Sequence, residues 1–143
     1  MNPWDLSASE LLVWGIVIHL IADWPFQNDW MANNKMKRRI RRGSDNVVIP
    51  SPWWDRHQAA YVHALIHGLY LSIIFGWAAI PLAISHLIID TRTPVVWWSK
   101  WIEQTQPLGK GAPIVDIGLE VRIWTDQVFH IFCVAVAALL VTL

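Results

Sequence analysis

The chain has a single cysteine, Cys133, so no disulfide can form within it. Charge is also scarce: Asp, Glu, Lys and Arg make up 15% of its 143 residues, against roughly 25% in an average soluble domain. Together with 55% hydrophobic residues and a mean hydropathy of +0.35, this excludes an ordinary soluble domain. It also excludes disorder, which needs low hydrophobicity and high net charge. No Lys or Arg precedes Lys35, so a cleaved signal peptide, which opens on a basic segment, is not expected. No repeat of fixed period is present. Tryptophan, by contrast, is abundant, with eleven residues. Trp is favoured where one end of a side chain is apolar and the other wet, as at a membrane–water interface. The length suits one domain, residues 1–143, and the composition is that of a small polytopic membrane protein.

Apolar stretches run from Leu11 to Gln27, Ala59 to Trp77, Ala78 to Asp90 and Gly118 to Leu143. Ser9 and Glu10 suit the start of the first helix. A spanning helix needs about 20 mostly apolar residues. The first, second and fourth stretches meet that length. The third, with Pro81 in its first turn, meets it only by continuing through Thr91–Trp98, and is otherwise re-entrant or tilted. The segment VVWWSKW at 95–101 reads as an amphipathic helix on the membrane surface. Trp53 and Trp54 read as interface anchors, and Asn33–Pro52 and residues 105–117 as loops. The expected fold is an all-α polytopic membrane bundle of about four hydrophobic helices plus one interfacial amphipathic helix.

The net formal charge is zero, but the sum hides an asymmetry. Lys35, Lys37, Arg38, Arg39, Arg41, Arg42 and Arg56 lie between the first and second stretches, and Arg92, Lys100 and Lys110 between the third and fourth. Cytoplasmic loops carry the excess of Lys and Arg. Both basic loops are therefore expected inside and both termini outside, in the inner membrane. The basic run 35–42 is first a topology signal and second a contact for anionic lipid headgroups, at roughly 1 kcal/mol per basic residue. Nothing else points to nucleic acid, so none is expected as a partner. The expected surrounding is the lipid bilayer, and a homo-oligomer is left open.

Ionisable residues in membrane segments are costly and mark function by default. Here they recur four apart: His19 and Asp23, with the uncharged Gln27 a further four on; His63 and His67; His86 and Asp90; Asp126 and His130. Residues four apart share a helix face, so each helix carries one polar stripe that must face the interior of the bundle. At a rise of about 1.5 Å per residue, counting from the basic end, Asp23, His63, Asp90 and Asp126 form an outer tier. His19, His67, His86 and His130 form an inner one. Imidazoles with carboxylates suit a divalent metal, zinc first and manganese or iron as alternatives. The expected ligands are His19, His63, His67, His86, Asp90, Asp126 and His130. His19 and His67 are ligands or partners of the ligands, Asp23 or Asp126 is the expected general base, with Asp23 otherwise a ligand, and Arg122 is the holder of an anionic oxygen. Gln27 and Gln127 stand as partners of the ligands or as caps. Two other readings of the layer are a metal-free proton or ion pathway and a purely structural polar core.

The ordered motifs HLIADWPFQNDWMA at 19–32, HALIHG at 63–68, SHLIID at 85–90 and TDQVFH at 125–130 resemble a family of small bacterial and phage membrane proteins catalogued as a domain of unknown function. The resemblance implies a membrane fold. More loosely, SHLIID followed by TRTP is similar to a segment of bacterial membrane-bound metal-dependent hydrolases. That likeness implies His86 and Asp90 as ligands. The expected function is metal-dependent hydrolysis of a lipid or lipid-linked phosphate near the cytoplasmic face. The alternative is a non-enzymatic membrane protein, either an ion conductor or a holin-like or exclusion module.

Overall fold

A computed structural model of the chain describes residues 4–35, 41–42, 48–49, 56–102 and 119–143. Trp53, Trp54, residues 105–117 and most of the basic run lie outside the described residues. Helix α1, Ala8–Asp23, begins at a reciprocal cap. The Ser7 hydroxyl accepts from the Glu10 backbone N–H, and the Glu10 carboxylate accepts from the Ser7 N–H at 2.9 Å. The box satisfies donors that a helix start leaves open. It also starts the helix at Ala8, ahead of the expected Leu11. Helix α2, Asp29–Asn34, is capped by Asn28, whose Oδ1 accepts from the Met31 N–H. It falls partly in a stretch expected to be loop. Helix α3, Gln58–Phe75, is capped by the His57 ring, which accepts from the Ala59 N–H.

The chain reverses at Gly76, whose φ of 56° is open to a residue without Cβ. A short 3-10 turn, Gly76–Ala78, leads into α4, Ala79–Ile89. The third apolar stretch does not continue as one straight helix. It stops at Asp90, turns through Thr91 and Arg92, and restarts as α5, Thr93–Trp101, with Pro94 in the first turn. Arg92 takes a φ of 57° at the break. The last helix, α6, runs Leu119–Thr142. Arg41–Arg42 and Val48–Ile49 pair as a two-residue antiparallel ladder. Among the described residues the remaining regular structure is helical.

Helix α1 packs on α3 and α6, and α4 packs on the same two, so α1, α3, α4 and α6 close a ring. Neighbours run antiparallel. His67 on α3 stacks on His86 of α4, and His63 lies beside Asp90. Gly15 on α1 faces Val134 of α6, while His19, one turn on, approaches His130. One end of the ring, where α1 starts and α6 finishes, is filled by Leu11, Leu71, Ile74, Phe75, Leu82 and Val134. Gly15 sits where three helices meet: a Cβ there would lie 2.5 Å from Val134 Cγ1 and 3.0 Å from the Phe75 ring.

The outside is apolar. Trp14, Leu65, Leu69, Ile73, Ile80, Ile84, Trp124, Val128 and Phe132 are all exposed, whereas five histidines and two aspartates are buried. Exposed apolar surface on this scale marks a contact face for a membrane or a protein. Gln58–Ile89 and Val121–Thr142 are long and apolar enough to cross a membrane, but the first is folded back at Gly76 into α3 and α4. With 16 and 11 residues, α1 and α4 rise about 24 and 16 Å. Both fall short of a hydrocarbon core of about 30 Å.

Candidate metal centre

The four helices aim their polar stripes at one another at the end of the ring opposite the apolar core. His19 and Asp23 come from α1, His63 and His67 from α3, His86 from α4 with Asp90 at its C-terminus, and Asp126, Gln127 and His130 from α6. The inner tier is a set of imidazoles in mutual contact. The rings of His67 and His86 stack at 3.6 Å, those of His86 and His130 at 4.1 Å, and His19 lies 4.9 Å from both His67 and His130. The carboxylates lie beside them. His63 Nε2 is 3.1 Å from Asp23 Oδ1, His86 Nε2 is 3.4 Å from Asp90 Oδ2, and His130 Nε2 is 3.7 Å from Asp126 Oδ2.

Three groups bring their ligand atoms within 4.8 Å of one another and could hold a metal: Asp23, His63, His67 and His86; His19, His86 and His130; and Asp90, Asp126 and His130. Several of these atoms are buried without a hydrogen-bond partner. They include both ring nitrogens of His67, His86 Nε2, His130 Nε2, Asp90 Oδ2 and Asp126 Oδ1. A buried polar atom left unpaired costs about 1–3 kcal/mol, so six such atoms in one cluster, each imidazole offering one lone pair, fit a bound cation. The donor chemistry, imidazole with carboxylate, fits a divalent metal. Zinc as its identity rests on that donor chemistry alone.

Asp23 is held more firmly. Gln127 Nε2 donates to its Oδ2 at 2.5 Å, while Gln127 Oε1 accepts from His19 Nε2 at 3.2 Å. Such outer partners orient a carboxylate. The sequence left Gln127 open between this role and a cap, because a glutamine's target is not visible from spacing.

Lys35 opens the basic run of the sequence, but its side chain turns inward. Its Nζ donates to Asp23 Oδ1 at 3.3 Å, lies 3.3 Å from Asp90 Oδ1 and 3.1 Å from His63 Nε2. Arg56, also assigned to the loop, is buried and donates from Nη2 to the Lys35 carbonyl at 2.9 Å. A polar cavity of about 170 Å³ opens beside the cluster, lined among others by Asp23, Gln27, Lys35, Asp90, Arg92 and Asp126. Arg122 is half-buried one turn before Asp126 and is not among the lining residues. Arg92 and Lys35 are the cations on that wall. A larger apolar groove, about 720 Å³, lies on the outer side of α6 between Trp98, Trp124 and Phe132 and contains none of the His or Asp residues. Cys133 is half-buried against the apolar core. Compared with family models, curated proteins and solved structures, the chain matches none.

Proposed function

We propose that the protein is an integral membrane protein whose His/Asp cluster holds a divalent metal and hydrolyses a lipid or lipid-linked phosphate. The observation that carries this reading is the convergence of four helices on a cluster whose buried lone pairs lack partners. The ligands would be drawn from His63, His67, His86, Asp90, Asp126 and His130, with His19 acting through Gln127 on Asp23. A divalent ion there supplies Lewis acidity, making water a stronger acid and polarising a phosphoryl oxygen. Asp23, oriented by Gln127 and facing the cavity, serves as the general base. Arg92 and Lys35 draw an anionic group to the mouth. The apolar outer face seats the four helices in the inner membrane, the shorter ones tilted, with the basic loops cytoplasmic.

Elemental analysis of detergent-purified protein, expressed with zinc, manganese and iron available, is expected to find at least one divalent metal per chain. His86→Ala and Asp126→Ala should lose metal and phosphate-releasing activity while remaining monodisperse. A folded, active protein free of metal overturns the reading. A second reading, a metal-free proton relay, is favoured by the mutual contacts of the imidazoles and by the Lys35 ammonium among the carboxylates. It requires that same protein to be free of metal.

A further inference from the structure

Lys35 occupies a place that the metal reading would give to an ion. An ammonium has three N–H donors, and the atoms facing Lys35 Nζ are Asp23 Oδ1, Asp90 Oδ1 and His63 Nε2, at 3.3, 3.3 and 3.1 Å. All three residues belong to the clusters that could bind metal. The lysine is not a wandering surface side chain. Its backbone N–H closes α2 by donating to Met31 O at 2.8 Å, and its carbonyl accepts from the buried Arg56. The backbone is thus fixed on both sides, and the side chain is 13% exposed.

Resting on the metal reading above, we propose that the cluster comprises two cation positions and that the chain fills one of them with the Lys35 ammonium. The first lies among Asp23, His63 and Asp90 under α2. The second lies deeper, among His19, His86 and His130, with His67 beside it. Formal charge points the same way. Asp23, Asp90 and Asp126 are the three carboxylates of the cluster, and Lys35 offsets one of them. Arg92 stands on the cavity wall without an ion pair to these carboxylates among the described residues. A second divalent ion enters only when the ammonium leaves the outer position. Lys35 thereby sets the stoichiometry of the centre.

The test is zinc stoichiometry of the full chain in detergent, after saturation with zinc alone and removal of the excess. Wild type is expected to retain one zinc per chain, Lys35→Arg one, and Lys35→Met two. The double variant Lys35→Met with Asp23→Asn should return to one. Two zinc ions in wild type, or one in Lys35→Met, overturn the inference while leaving the metal reading intact. No zinc in wild type overturns both. Should Lys35→Met fold only with zinc, recovery of a monodisperse chain carrying two ions supports the proposal. Recovery with one, or no recovery, overturns it.

Discussion

His67 makes no hydrogen bond through either ring nitrogen and is fully buried. In a protein without metal such a ring is a cost, since two polar atoms have lost water and gained no hydrogen bond, only Asp23 Oδ1 at 3.8 Å from Nε2. Replacing it by an apolar side chain of similar volume removes that cost. His67→Leu should therefore melt at or above the wild-type temperature when both are stripped of metal, by up to about 1–3 kcal/mol in stability. The same change should weaken zinc binding at least about tenfold, as expected for loss of a ligand or of its immediate partner. Parallel calorimetry of stripped and zinc-loaded samples checks both signs. A variant that is destabilised when stripped and unchanged in affinity assigns His67 to packing. At this scale the polar stripes were legible, because a four-residue spacing fixes a helix face whatever the rest of the fold does. Lys35 and Arg56 were not. They sit in a run of basic residues, and nothing in a charge count distinguishes the two that turn inward.

The elements were legible where apolar length decided them, and less so at their ends. Helices α3 and α6 fall within two residues of the expected stretches. Helix α1 is shorter than its stretch because Trp24–Phe26 leave the helix after Asp23. The bend after α4 was open in the sequence. It depends on Arg92 adopting a left-handed backbone, which side-chain pattern does not encode. The contact between α1, α3 and α6 was equally hidden, since a glycine in an apolar run has no visible partner. In a bilayer the hydrophobic effect does not drive helices together, so close packing at small residues counts for more. Gly15→Ala places a methyl 2.5 Å from Val134 Cγ1 and should destabilise by about 1–3 kcal/mol. Adding Val134→Ala should restore part of that loss, giving a coupling of about 0.5–3 kcal/mol between the sites. Unfolding of the single and double variants in a mixed detergent series checks this. Additive losses would place the clash elsewhere. The start of α1 offers a simpler case: Ser7→Ala removes the cap and should cost about 1 kcal/mol in the same series.

Taken as a whole, the described ring exposes isoleucine, leucine and tryptophan and buries an apolar core at one end and imidazole and carboxylate at the other. The polar layer therefore also holds the ring together. Asp23 ties α1 to α3 through His63 and to α6 through Gln127, and Asp90 ties α4 to both. An antiparallel ring makes a prediction about orientation that charge alone does not. Because α1 and α6 pack side by side in opposite directions, the start of one and the finish of the other share an end. The segments joining α2 to α3 and α5 to α6 leave from the opposite end. With Cys133→Ser as background, single cysteines at Asn2→Cys, Leu143→Cys and Ser44→Cys separate the two sources of the inference. A membrane-impermeant maleimide added to the outside of intact cells should label the first two and leave the third until the membrane is opened. Labelling of only one terminus would contradict the antiparallel ring itself. Labelling of Ser44→Cys with both termini protected would keep the ring and reverse the orientation drawn from the basic loops, moving the mouth beside Lys35 and Arg92, and any phosphate it meets, to the outer surface.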